Sequence, residues 1–125
     1  MVVALTVTGC GGHHRDKQLS PRDRVAYYQI ATTSGLLRAR SSSLLSHRRG
    51  APPATLADAR GRLALLHPDA ATLSALRDQL AAAADRVLRT PTAAAARAAF
   101  AVTDHVNSEL ARWGKGRELK SLVPD

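Results

Sequence analysis

Prolines and small polar residues divide positions 20–113 into four segments, and this punctuation constrains the fold more than any other feature. Ser20-Pro21-Arg22-Asp23 has the form of a helix start, with a serine cap, a proline in the first turn and an acidic third position. Thr55-Leu56-Ala57-Asp58 repeats this form, and Thr90-Pro91 opens the last segment. The predicted helix ends lie near His47, at His67-Pro68-Asp69, at Arg89, and at Gly114 and Gly116. No segment after residue 10 alternates with period two, so we expect an all-α protein.

Apolar residues within these segments recur at the spacing of a helix that buries one face. Alanine supplies 24 of the 125 residues, and aromatic residues are scarce. We therefore expect the core to consist mainly of Leu, Val and Ala, with helix axes packed closely. The stripe of the third helix is Leu73, Leu76, Leu80, Ala83 and Val87, with an Asp85–Arg89 pair on its other side. The stripe of the fourth helix is Ala95, Ala99, Val102, Val106, Leu110 and Trp113.

Pro68 leaves two topologies open. The stripe of the second helix (Leu56, Ala59, Leu63 and Leu66) continues in phase across Pro68, which would allow one long helix kinked at that residue. We favour a break, because the residue before a proline resists helical geometry. A break predicts a small antiparallel bundle of four helices, whereas a kink predicts three helices with one long bent arm.

The first helix carries two apolar strips instead of one. The first strip is Tyr27, Ile30, Leu37, Leu44 and Leu45, and the second is Val25, Tyr28, Leu36 and Ala39. We expect a central helix packed on two neighbours, and the alternative is a helix with a face for a partner. The Ser41-Ser42-Ser43 and Thr32-Thr33-Ser34-Gly35 runs on the same helix are interpreted as small residues that allow close packing.

Residues 1–10 form an uncharged apolar run that ends in Val7-Thr8-Gly9-Cys10 and contains the one cysteine of the chain. This ending resembles the lipobox of bacterial lipoproteins, a family in which a diacylglyceryl group is attached to the cysteine and the preceding peptide is removed. The following Gly11-Gly12-His13-His14-Arg15 is typical of a flexible tether. No basic residue precedes the apolar run, which is short for a signal peptide, so we expect the true start to lie upstream.

Together, the resemblance and the helix pattern predict four parts of the chain. Residues 1–9 are the remnant of a signal peptide, 10–19 a lipid-anchored tether, 20–113 the helical bundle and 114–125 a basic tail. Cys10 would be the lipidation site, and the protein would lie at the extracytoplasmic face of the cell membrane.

The positive charge is concentrated in the first half of the chain. Residues 1–62 hold ten basic and three acidic side chains, a balance of +7, whereas residues 63–125 hold eight and seven, a balance of +1. Next to a lipid anchor, such charge favours contact with anionic headgroups. The residues expected to make this contact are Arg15, Lys17, Arg22 and Arg24.

The alternative is a cytosolic protein that binds nucleic acid. In that case the arginines of the first helix would contact the phosphates, and these are Arg38, Arg40, Arg48 and Arg49. We place it second, because the chain has no recognition-helix signature and no aromatic residues between these arginines.

Catalytic and metal-binding patterns are weak. The serine and threonine runs have no nucleophile-elbow pattern and no His or Asp at an identifying spacing. His13-His14, and His105 one helical turn before Glu109, each provide two of the ligands that a metal site needs, and we interpret them as solvated surface residues. We therefore expect no enzyme, cofactor or metal, but a cell-envelope lipoprotein whose helical domain binds or scaffolds, with another envelope protein as a candidate partner.

Overall fold

The computed structural model of the protein describes residues 19–47 and 52–117, which form four helices. Helix α1 spans Pro21–Ser46, α2 spans Pro53–Ala64, α3 spans Ala71–Arg89 and α4 spans Ala93–Gly114. These two ranges contain no strand, and the helices pack against one another as a small bundle, which confirms the predicted fold class.

The segment around Pro68 is a true break between two helices. Residues 65–70 are not helical, so the alternative of one long helix kinked at Pro68 is wrong. The backbone N–H groups of Leu65 and Leu66 donate to the carbonyls of Arg62 and Leu63 at 3.1 Å, which tightens the last turn of α2. The chain then crosses Pro68 in non-helical geometry before α3 begins at Ala71.

Both ends of α1 follow the sequence signals. Ser20 caps the helix, since its hydroxyl accepts a hydrogen bond from the Asp23 N–H at 3.1 Å, and Pro21 lies in the first turn. The helix ends at Ser46, and His47 adopts the left-handed conformation with φ of 56°. The His47 N–H donates to the Ser43 carbonyl, so one of the last carbonyl groups of the helix keeps a hydrogen-bond donor.

Two other predicted helix starts are wrong by two or three residues. Helix α2 begins at Pro53, so Thr55 lies inside its first turn and not at its cap. Pro53 suits the first helical position because that position needs no N–H partner. Helix α4 is capped by Thr92, whose hydroxyl accepts from the Ala95 N–H at 3.1 Å, whereas Thr90 is the last residue associated with α3.

Helices α1 and α4 are antiparallel. Along α1 and α4, Tyr27 stacks on Trp113, Ser34 bonds to Asn107 and Arg38 bonds to Thr103, so the two helices run in opposite directions. Helix α1 packs against all three other helices, and α3 packs against both α2 and α4, while α2 and α4 barely meet. The start of α1 therefore lies beside the turn between α2 and α3, at the end of the bundle where α4 finishes.

Leucine, valine and alanine form the core, as predicted. The stripe of α3 is confirmed at Leu73, Leu76, Leu80 and Val87, but Ala84 is its buried alanine and Ala83 is half-buried. The stripe of α4 is confirmed at Ala95, Ala99, Val106 and Leu110, whereas Thr103 is fully buried in place of Val102, and Val102 and Trp113 are half-buried. The remaining buried apolar positions are Leu19, Ala26, Ile30, Leu37, Leu56, Ala59, Leu63, Leu66, Ala95, Ala96, Ala99, Val106 and Leu110.

Helix α1 is central, but it does not bury the second strip. Its fully buried positions are Ala26, Ile30, Thr33, Ser34, Leu37 and Ser41, a face rich in small and polar residues. The small residues thus allow close packing, as expected. From the second strip, Val25, Tyr28 and Ala39 are exposed and Leu36 is half-buried.

Candidate functional site

The expected anionic-surface residues divide between described and undescribed parts of the chain. Cys10, Arg15 and Lys17 lie outside the described residues. Arg22 is exposed on the first turn of α1, where its guanidinium lies 3.8 Å from the Asp69 carboxylate. Arg24 is half-buried, and its Nε has no hydrogen-bond partner within the described ranges. Of the two, Arg22 therefore has the better access to an external surface.

Beside Arg22, the end of the bundle exposes large apolar side chains. Pro21, Val25 and Tyr28 follow one another at helical spacing on one face of α1, and Leu65 follows the last turn of α2. Pro21, Val25 and Leu65 surround a shallow concavity of about 420 Å³ together with Arg22, Leu66 and His67. We name Pro21, Val25, Tyr28 and Leu65 the apolar patch. The strip of α1 that the sequence predicted to pack inside thus contributes to a surface.

Hydrogen bonds from two other helices hold the turn that carries Leu65. Asp23 of α1 is buried, and its Oδ1 accepts from the N–H groups of Asp69 at 2.7 Å and Ala70 at 3.0 Å. Arg77 of α3 donates to the Leu66 carbonyl at 2.8 Å. The turn is therefore fixed relative to both α1 and α3.

An open groove of about 470 Å³ lies between α3 and α4. Seven of the ten residues that line it are alanine or valine, and the other three are polar. The apolar wall consists of Ala82, Ala83, Ala95, Ala98, Ala99, Ala101 and Val102, and the polar members are Gln79, Arg86 and His105. A volume of this size is within the usual range for small-molecule sites, which are mostly apolar with a few polar groups.

A seam of polar side chains joins α1 to α4. The Ser34 hydroxyl donates to Asn107 Oδ1 at 2.9 Å. Arg38 donates to Thr103 Oγ1 at 2.9 Å and to Asp104 Oδ1 at 2.6 Å, and its guanidinium lies 4.9 Å from the centre of the Phe100 ring. Arg38, a candidate phosphate contact in the nucleic-acid alternative, is thus engaged within the bundle. Arg40 is half-buried on α1, and Arg48 and Arg49 lie outside the described residues.

Charged pairs on the surface differ from those predicted. Asp85 bonds to Arg60 of α2 through Nε at 2.9 Å and Nη2 at 3.1 Å, so the predicted pairing with Arg89 is wrong. The two-point contact joins α2 to α3, whereas an Arg89 pair would have stayed on one helix. Glu109 pairs with Arg112 at 3.1 Å.

The described ranges contain no group of three or more metal-ligating side chains. His67 is exposed in the turn before Pro68, and His13 and His14 lie outside the described residues. None of the described helices has the length and apolar character that a membrane span requires.

Leu65 is the member of this surface that the sequence patterns did not single out. One signal could have identified it, namely that Leu65 and Leu66 are adjacent just before a proline. Adjacent residues near a helix end point in different directions, so only one of the two could join the stripe.

The chain matches no family model, no curated protein and no solved structure.

Proposed function

We propose that this chain is a lipid-anchored protein of the bacterial cell envelope whose bundle binds a ligand or partner without catalysis. The anchor part of the proposal rests on the lipobox-like Val7-Thr8-Gly9-Cys10. Nine residue steps join Cys10 to the buried Leu19, and a fully extended chain would cover about 30 Å over that length. An anchored bundle would therefore stay within a short distance of the membrane, with the start of α1 nearest to it.

Electrostatic attraction would add to the anchor. Arg15, Lys17, Arg22 and Arg24 all lie within fifteen positions of Cys10. Each basic group near an anionic surface contributes about 1 kcal/mol, and the effect fades within a Debye length of about 8–10 Å. A lipid chain and a basic segment together give the two signals that stable membrane attachment needs.

The observation that supports a binding role is the groove between α3 and α4. Alanine side chains leave space between the two helices, and larger residues at the same positions would fill it. Arg86 and His105 on the groove, both exposed, offer donors to a polar or anionic end of a ligand. The groove therefore suits a small amphiphile with an apolar body and an acidic head.

The anchor is tested by the intact mass of the protein expressed from its full gene in its own host. We expect a mass that lacks residues 1–9 and includes acyl chains on Cys10. The Cys10→Ser variant should keep its leader and carry no acyl chains. An unmodified mass that retains residues 1–9 would contradict the lipoprotein proposal.

The groove is tested by titration with anilinonaphthalene sulfonate, a fluorescent amphiphile with an anionic head. Ala98→Leu, which fills the groove, should weaken binding about tenfold or more, and Arg86→Gln should weaken it less, since one charged contact is lost at an exposed site. Ala111→Leu is the matched control, because Ala111 is an exposed alanine of the same helix outside the groove. Equal binding by the Ala98→Leu and Ala111→Leu variants would exclude the groove as the site.

A further inference from the structure

Large apolar side chains that are more than half exposed are concentrated at one end of the described bundle. Val25 is 59% exposed, Tyr28 56% and Leu65 76%. All three belong to the apolar patch near the start of α1, and none lies at the opposite end, where α2 and α4 begin. An exposed cluster of this kind, bordered by a basic residue, marks a contact surface more often than a stability feature.

The fold does not allow Leu65 to turn inwards. The next residue, Leu66, is 8% exposed and fills the core position at this end. The Leu66 carbonyl is bonded to Arg77, and the N–H groups of Asp69 and Ala70 are bonded to Asp23. Because the backbone on the far side of Leu65 is fixed at these points, the side chain stays outside, where a polar residue would serve the fold equally well.

We propose that the apolar patch enters the headgroup and upper acyl layer of an anionic bilayer, with Arg22 beside it at the lipid phosphates. This inference rests on the proposed anchor at Cys10. The chain enters the bundle at the buried Leu19, directly before the patch, and no more than about 30 Å of backbone separates it from Cys10. The end of the bundle that a lipid anchor brings to the membrane is thus the end that exposes Val25, Tyr28 and Leu65.

The chemistry of the patch matches this layer of a membrane. Leu65 and Val25 are apolar, Tyr28 has an apolar ring with a hydroxyl tip, and Arg22 can extend its guanidinium towards phosphate. Interfacial segments combine apolar burial with attraction to anionic lipid in the same way. The patch differs from the charge-only contact of the proposed function because its binding should persist in part when salt screens the arginines.

The test uses the full chain with Cys10→Ser, which leaves no other thiol, and a single introduced cysteine that carries an environment-sensitive fluorophore. The label is placed through Leu65→Cys in the patch, or through Thr55→Cys as the control, since Thr55 is exposed at the opposite end. The probe membranes are vesicles of phosphatidylglycerol and phosphatidylcholine in equal amounts, with nitroxide-bearing lipid for quenching.

We expect the label at position 65 to shift to shorter wavelength and to be quenched by the lipid nitroxide, while the label at position 55 stays in water. The unlabelled Val25→Ser/Leu65→Ser variant should bind these vesicles about tenfold more weakly or worse, because two apolar side chains that would enter the bilayer are lost. The control Ala57→Ser/Ala94→Ser, which changes exposed residues at the opposite end, should bind within about twofold of the parent.

Three results would overturn the inference. Vesicle binding without a response at position 65 would show that another part of the chain makes the contact. Absence of binding at lipid excess would show that the patch has no membrane affinity. A label at position 65 that is already shielded without vesicles would show that the chain itself covers the patch. The mass of Cys10 reports on the anchor separately, so failure of the anchor and failure of the patch are distinguishable.

Discussion

Asp23 occupies the third position of α1, where an acidic side chain ordinarily bonds back to the start of its own helix. In this structure its carboxylate bonds instead to the N–H groups of Asp69 and Ala70, just before α3. Ala70 is the cap position of α3 and has no side chain that could bond to the first turn, so the turn depends on α1 for its order. One residue thus connects the starts of two parallel helices.

We expect Asp23→Ala to lower the free energy of unfolding by about 2–4 kcal/mol, because two partly buried N–H groups lose their acceptor. Asp23→Asn keeps one acceptor oxygen and should cost less. The measurement is urea unfolding followed by circular dichroism, with Asp58→Ala, at an exposed position of α2, as the control. A loss for Asp23→Ala no greater than that for Asp58→Ala would mean that water replaces the carboxylate.

At the scale of helices, the sequence located the elements well and their ends less well. The start of α1 was predictable because serine, proline and aspartate agree on one register there. The starts of α2 and α4 were not, because α2 begins without a side-chain cap and α4 has a threonine on each side of Pro91. The choice between Thr90 and Thr92 depends on where α3 ends, which the local sequence does not encode.

This assignment of the caps is testable. Thr92→Ala should lower the free energy of unfolding by about 1 kcal/mol, since the Ala95 N–H loses its side-chain acceptor. Thr90→Ala should change it by less than about 0.5 kcal/mol, because Thr90 contributes a backbone bond to Arg86 that alanine keeps. Chemical denaturation of both variants gives the comparison, and equal losses would place the cap elsewhere.

At the scale of the whole molecule, periodicity identified the core of α3 and the class of fold, but not the surface. Leu80 lies on a stripe that any helix of this sequence would bury, so its position follows from spacing alone. Val25 and Leu65 form one surface only because α1 lies beside the end of α2. The groove likewise depends on how α3 and α4 meet. Contacts between different helices leave no periodic signal in either one.

Leu80 and Leu65 provide a matched test of the distinction between a core position and a surface position. Leu80→Ala should cost about 2–5 kcal/mol, since the side chain is fully buried in the centre of the bundle. Leu65→Ala should cost less than about 0.5 kcal/mol, since the same side chain is 76% exposed. Thermal and urea unfolding measure both, and a large loss for Leu65→Ala would assign that residue to the core instead of to a contact surface.

The seam between α1 and α4 also determines the order in which the chain can fold. Ser34 and Asn107 are 73 positions apart, and Arg38 and Thr103 are 65 positions apart, so the polar inner face of α1 finds these partners only after most of the chain has been synthesised. Closing so long a loop is entropically costly, and contacts of this separation form late. A nascent chain released before residue 103 would therefore leave that face without its partners, and a ribosome-stalled series should acquire protease resistance only once α4 has emerged.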